Sequence, residues 1–225
     1  ETEEAVTINL NNVTIKSKAD AAIANIKTNE LEIILVSGTT NTLVDNGSKT
    51  DYDATLYSNG PMVINGTGTL KISGNRSNCE GIATTDAPIT INSGTISINS
   101  QDDGINGGGS GETITINGGT IYIKAGGDGI DSNKNVIING GTHYIIGSAV
   151  GADAGLDADQ GIEINGGTVI ALGSAMLQIP ESTSTQNILA LGFNRFKSTN
   201  TLYSLLSITD TEVISLLSKE KFKII

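Results

Sequence analysis

Between Leu31 and Leu172 apolar residues alternate with polar ones in short runs, such as Ile89-Thr90-Ile91, Ile96-Ser97-Ile98 and Ile121-Tyr122-Ile123, and the runs stop at Gly, Asn or Asp. A period of two over so few residues, closed by turn formers, predicts strands and not helices. The runs recur. Gly-Thr pairs fall at Gly68-Thr69, Gly94-Thr95, Gly119-Thr120, Gly141-Thr142 and Gly167-Thr168, spaced by 26, 25, 22 and 26 residues. An Ile-Asn step precedes each pair, at Asn65, Asn92, Asn117, Asn139 and Asn165, and a Gly-Ile or Gly-Leu step follows at Gly81, Gly104, Gly129 and Gly155. A unit of three short strands cannot bury its apolar side alone. Stacked on its neighbours, it becomes one turn of a three-sided parallel β-helix with turns about 4.8 Å apart.

Stacking converts the repeat into columns. Leu70, Ile96, Ile121, His143 and Val169 form one inward column, and Ile72, Ile98, Ile123, Ile145 and Ala171 another. Lys71, Ser97, Tyr122, Tyr144 and Ile170 lie between them and point outward. The Asn column precedes Gly at a turn, where asparagine tolerates left-handed dihedrals and its amide can satisfy backbone or form a side-chain ladder. His143, alone in an apolar column, is expected as a hydrogen-bonded histidine of the core or of a turn edge. Residues 1–60 keep β-patterned pieces without the crisp repeat and are expected as irregular first turns and cap. Residues 61–173 hold the regular turns. Beyond about Ser174 the Gly density collapses and Leu-rich stretches take over, including 201–208 and 212–217, so residues 174–225 are expected as a β-rich cap over the last strand edge.

Composition narrows the function classes. The chain of 225 residues has a formal net charge of −11, with 13 basic residues against 24 acidic, too few to coat a phosphate backbone or an anionic lipid surface. Nucleic acid is excluded as an expected partner, and so is membrane insertion, since the longest apolar run is only Ile33 to Val36. The single Cys79 excludes an internal disulfide and a Cys-based zinc site, and it is expected to be inert. The abrupt start at Glu1 suggests a trimmed or mature chain, and low cysteine use fits a secreted or cell-surface bacterial protein, which is the expectation, although a cytosolic protein would show the same count.

The acidity is concentrated. Successive turns read Asp102-Asp103-Gly104-Ile105-Asn106, then Gly127-Asp128-Gly129-Ile130-Asp131, then Asp153-Ala154-Gly155-Leu156-Asp157-Ala158-Asp159; the turn before offers only Glu80-Gly81-Ile82-Ala83. If the turns stack, Asp103 lies near Asp128, and Asn106, Asp131 and Asp157 fall in one file. Two carboxylates about 5 Å apart repel by about 3 kcal/mol at an effective dielectric near 20. Such a file needs protons, displacement or a cation. Calcium suits it, taking many hard oxygen ligands in flexible geometry, and Asp102, Asp103, Asn106, Asp128, Asp131, Asp153, Asp157 and Asp159 are the candidate ligands. The bland alternative is that Asp and Gly only mark turns. Gly126 to Asp131 also matches the core of the calcium-binding toxin repeats, but their nine-residue period is absent. Tyr122 and Tyr144, consecutive on an outward column with Lys124 nearby, are candidates for stacking on sugar rings.

The blocks Leu43-Val44-Asp45, Ile64 to Leu70, Ile116 to Ile121 and Gly127 to Asp131, with a later segment around Ala175 to Gln178 and Ser184 to Gln186, resemble the secreted bacterial carbohydrate-binding domain family of right-handed β-helices. The resemblance implies a pectate-lyase-like fold, association with calcium, and binding of plant cell-wall polysaccharide, both cellulose and acidic polygalacturonate-type pectin. It places that family's acidic turn motif on Asp102, Asp103, Asp128, Asp131 and Asp157. A non-catalytic, calcium-dependent polysaccharide binder, a monomer by default, is therefore the leading expectation. Cellulose is the less secure ligand, because a flat crystalline surface usually meets an aromatic platform and the chain has no Trp. A lyase would use calcium to acidify the proton beside a uronate carboxylate and Lys124 or Lys134 as the base. A structural or adhesive solenoid without a sugar ligand is the third reading.

Overall fold

The structure, a computed structural model, describes residues 4–48, 51–109, 112–174, 176, 178–206, 212–218 and 222–224. The chain coils in turns of three strands. Turn one is β1 (Val6–Leu10), β2 (Thr14–Ser17) and β3 (Ile23–Asn25); turn two is β4 (Leu31–Leu35), β5 (Thr40–Asp45) and β6 (Ala54–Ser58). Turn three is β7 (Met62–Gly66), β8 (Thr69–Gly74) and β9 (Glu80–Thr85); turn four is β10 (Ile89–Ile91), β11 (Thr95–Asn99) and β12 (Ile105–Gly108). Turn five is β13 (Ile114–Ile116), β14 (Thr120–Lys124) and β15 (Ile130–Ser132); turn six is β16 (Asn135–Ile138), β17 (Thr142–Ile146) and β18 (Leu156–Ala158). β19 (Gly161–Ile164) and β20 (Thr168–Leu172) begin a seventh. Every third strand pairs in parallel, giving a first sheet of seven strands from β1 to β19, a second of seven from β2 to β20 and a third of six from β3 to β18. The molecule is an all-β, three-sided parallel β-solenoid.

The register is that of the sequence columns. Leu70, Ile96, Ile121, His143 and Val169 are successive partners, as are Ile72, Ile98, Ile123, Ile145 and Ala171. One buried cluster runs from Leu10 to Ile164 along the axis. The first sixty residues differ from the irregular turns expected: β1 to β6 join all three sheets in register, carried mainly by alternation, with a Gly-Thr pair, Gly38-Thr39, only before β5. Glycine permits two of the corners. The Gly119 φ of 87° turns the chain from the first sheet into the second. At Gly104 a Cβ would strike Ile123 Cγ2 and the Gly129 carbonyl of the next turn, so only glycine admits so close a stack there.

Past Leu172 the chain closes the last turn with side chains. The Gln178 amide accepts from Ala158 N–H and donates to Ala158 O, standing where the peptide group of a further turn would be. Glu181 N–H donates to Ile162 O, and Ser184 Oγ accepts from Ile164 N–H. β21 (Gly192–Lys197) then pairs antiparallel with β24 (Phe222–Ile224), and β22 (Thr201–Leu206) with β23 (Glu212–Ser218). Phe222, Phe193 and Tyr203 pack on Tyr144, Ile146, Ile170 and Leu172, the outer side of the second sheet. Of the Leu-rich stretch 201–208, residues 207 and 208 lie outside the described residues. No helix of the described residues is long and apolar enough to cross a membrane.

Candidate functional site

The acidic residues collect where the second sheet turns into the third and on the outer side of the third. Asn106 pairs with Asp131 and Asp131 with Asp157 across β12, β15 and β18, making one file along the axis. The same register puts Glu80 beside Asp103 and Asp103 beside Asp128. The glycine corners after these acids bring successive turns so close that each carboxylate caps the backbone of the next: Asp103 Oδ1 accepts Asp128 N–H at 2.7 Å, and Asp128 Oδ1 accepts Ala154 N–H. Asn106 lies between the acids, donating its amide to Asp103 Oδ2 at 2.8 Å and to Asp131 Oδ2 at 3.5 Å.

Burial and mutual repulsion hold these groups toward their neutral forms. Desolvation first, then Asp53, Asp103 and Asp102, pushes Glu80 up to about 9. Desolvation raises Asp103 to about 6 against two stabilising hydrogen bonds, and raises Asp128 and Asp131 to about 7 with help from neighbouring aspartates. Asp102 and Asp157 are raised by the same two causes. The charges that act most strongly on the strip are other carboxylates.

The same corner in the earlier turns is built differently. There Arg76 Nε reaches Asp45 Oδ2 at 2.8 Å, its second nitrogen lies 3.8 Å from Asp20 Oδ1, and it also donates to Tyr52 O. The chain's own guanidinium neutralises the fully buried Asp45. Cys79 sits against this pair, 3.4 Å from Asp45 Oδ2, where burial pushes the thiol up to about 12 and keeps it unreactive at neutral pH.

Two features of the strip suit a hard cation. Glu80 is 8% exposed, and its Oε2 is buried without a hydrogen-bond partner. Above Asp102 and Asp103, Gly127 leaves a gap: a Cβ there would collide with Asp103 Oδ1 and Asp102 Oδ1, so two carboxylate oxygens from adjacent residues converge on the space a side chain would fill. The remaining acids stand in rows. Among the described residues no group of three or more His, Cys, Asp and Glu side chains converges closely enough to hold a metal ion. Asp153 flanks Asp102, and Asp159 is exposed beyond the file. Any cation shell built here is thus open on its solvent side.

The other candidates are placed apart from the strip. Tyr122 and Tyr144 face each other across β14 and β17, with ring centroids 5.4 Å apart and planes 3° from parallel. Rings so close must stack face to face, so they do not form the flat, side-by-side platform a sugar chain would lie on; one face of Tyr122 stays open. Lys124 is exposed on the same outer side of the second sheet. Lys134 Nζ is 3.9 Å from Glu112 Oε2, a surface ion pair. His143 is fully buried, with Nε2 2.7 Å from Gly140 O and Nδ1 unpartnered. Glu80 and Asp53 are the acids that the pattern of paired aspartates did not single out. Glu80 had one available signal, its place one repeat before Asp103 in the Gly-Ile alignment.

The family model for carbohydrate-binding domain-containing proteins matches residues 1–195 of the chain. Among solved structures, the polysaccharide lyase-like protein from C. thermocellum, as a gadolinium derivative, is similar at 26% identity and a TM-score of 0.56, over 80% of this chain and 77% of that one. No curated protein matches.

Proposed function

The chain belongs to the family of carbohydrate-binding domain-containing proteins, and we propose that it binds an acidic, uronate-bearing polysaccharide along the strip formed by Glu80, Asp102, Asp103, Asp128, Asp131 and Asp157, with calcium as the bridging cation. The observation that carries this reading is a file of buried and half-buried carboxylates whose strongest charged neighbours are each other. A structural acid corner in this chain has its own arginine, as at Asp45, whereas the strip is arranged for a counter-ion from outside.

The residues do the following. Asp102 and Asp103 present converging oxygens over Gly127, while Asp128 and Asp131 offer the next pair up the axis. Asn106 orients Asp103 and Asp131 through its amide hydrogens and leaves its carbonyl oxygen as a neutral donor. The bonds to Asp128 N–H and Ala154 N–H fix Asp103 and Asp128 in the backbone, so little ordering remains to be done on binding. A bound divalent ion supplies positive charge and open coordination positions that the ligand's carboxylates can fill. The solved relative is a gadolinium derivative, and gadolinium, like calcium, is a hard ion that takes oxygen ligands.

The test is retention on immobilised polygalacturonate with calcium and with chelator. Wild-type retention is expected to rise with calcium and fall with chelator, and the double change Asp128→Ala with Asp131→Ala to remove the calcium-supported part. Near pH 7 calcium uptake is also expected to release protons, because Asp128 and Asp131 are then only partly ionised. Calcium-indifferent retention by both proteins would refute the reading.

A further inference from the structure

Two inward columns lose bulk at the last turn. Ile72, Ile98, Ile123 and Ile145 are followed by Ala171, and Leu70, Ile96 and Ile121 give way through His143 to Val169. In the earlier turns the Cγ2 of an isoleucine fills the space that a Cβ on a corner glycine would take: Ile98 at Gly81, Ile123 at Gly104 and Ile145 at Gly129. At Gly155 that space is met by the Ala171 Cβ, and the side chain ends there.

The chain that follows does not restore the lost volume. A cavity of about 360 Å³ lies between the last turn and the closing segment. Its floor is Leu156, Ile164, Val169 and Ala171, and the closing segment contributes Met176, Pro180, Ile188 and Leu189. Solvent reaches the core here and not one turn earlier: Leu156 and Ile164 are each 8% exposed, whereas their partners Ile130 and Ile138 are fully buried. Among the described residues the lining holds no charged side chain. Two of its amides are already spent, Gln178 on Ala158 and Gln186 on Gly167 O, while the exposed Thr168 and Asn187 bring polar groups to the rim. A guest that covers this wetted apolar floor gains the hydrophobic contribution the earlier turns obtain from isoleucine. An apolar cavity of about 150 Å³ in another protein holds one benzene, so a space rather more than twice as large suits an apolar body of about ten to twelve carbons.

We propose that this cavity binds an uncharged amphiphile, with an apolar ring system or chain of about ten to twelve carbons seated on Val169 and Ala171 and a hydroxyl or ester oxygen left at the rim beside Thr168 and Asn187. Charge selects against an anionic guest: the described lining has no cation to pair with a carboxylate, and the chain as a whole carries −11. The site uses none of the strip's carboxylates, so it and the proposed polysaccharide contact stand or fall separately.

The experiment titrates β-naphthol into the whole chain and follows its fluorescence, with β-naphthoate as the anionic counterpart. Wild type is expected to bind β-naphthol saturably, one per chain, and β-naphthoate at least about tenfold more weakly. Ala171→Ile continues the isoleucine column and fills the space; it should fold with at least wild-type stability and lose β-naphthol affinity by about tenfold or more. Leu189→Asp, at a position 50% exposed, sets a charge beside the site without entering the core, and should weaken β-naphthol by about fivefold or more. Bound β-naphthol should also raise the Tm of wild type and leave that of Ala171→Ile unchanged. No saturable binding, equal affinity for the two probes, or undiminished binding in either variant each overturns the proposal. Calcium-supported retention on polygalacturonate, which involves none of these residues, reports separately on the strip.

Discussion

His143 stands in a column otherwise made of Leu70, Ile96, Ile121 and Val169, with no exposed surface. Its Nε2–H is spent on Gly140 O, and the bare Nδ1 faces an apolar interior without a partner. A buried acceptor left unmade costs about 1–3 kcal/mol. Desolvation lowers the imidazole pKa below the usual 6.5. The folded state thus takes up a proton less readily than the unfolded chain, and this residue's contribution to stability falls as pH drops below about 6.5. His143→Ile restores the column and is expected to stabilise the protein by about 1 kcal/mol at pH 7, while Gly140 O, at a turn, can bond to water. The advantage over wild type should widen toward pH 5 in urea unfolding. The difference between the two proteins isolates this group from the strip carboxyls, whose raised values give the opposite slope. A constant or shrinking advantage on acidification would contradict the account.

At the scale of elements, the asparagine column is a directional chain of amides. Asn92 donates to Asn65 at 2.8 Å, Asn117 to Asn92 at 2.7 Å, Asn139 to Asn117 at 2.9 Å and Asn165 to Asn139 at 3.1 Å. The donor end is closed by the Glu32 carboxylate, 2.8 Å from Asn65 Nδ2, and the acceptor end by Thr185 N–H. Asn117→Ala removes two of these bonds at an exposed position, a loss of about 1 kcal/mol in unfolding free energy. Asn117→Asp should cost more despite its equal size. It can still accept from Asn139, but it turns a carboxylate toward the Asn92 oxygen where a donor is required. Equal losses for the two variants would mean that the direction of the chain carries no energy. The ladder, the strands and the acid file were legible in the sequence because each repeats at the turn period. What breaks the period was not. Gln178 closes the last turn with a side-chain amide that no spacing announces. Glu80 is buried through its neighbours, among them Asp53 from another turn, and a lone acid in one turn does not reveal that. The Tyr122–Tyr144 adjacency was legible, but the ring orientation that makes it a closed stack is a packing outcome.

For the whole molecule, the solenoid axis is a ruler. The strip runs over turns three to six, from Glu80 through Asp103 and Asp128 to Asp157, with one acidic position or more per turn and a pitch of about 4.8 Å. That pitch is close to the rise per sugar in an extended 1,4-linked chain. A uronate chain lying along the axis would keep one carboxylate opposite each turn, whereas one lying across it would meet the strip at a single turn and then leave it. In calcium, the affinity of oligogalacturonates is therefore expected to climb with each added residue up to about four, one per acidic turn, and then level off. Asp157→Asn at the end of the file should shorten the climb by one step and leave the shortest oligomers unaffected. Titration calorimetry with oligomers from two to six residues reads both effects, and a plateau already reached at the dimer would assign the chain the transverse direction.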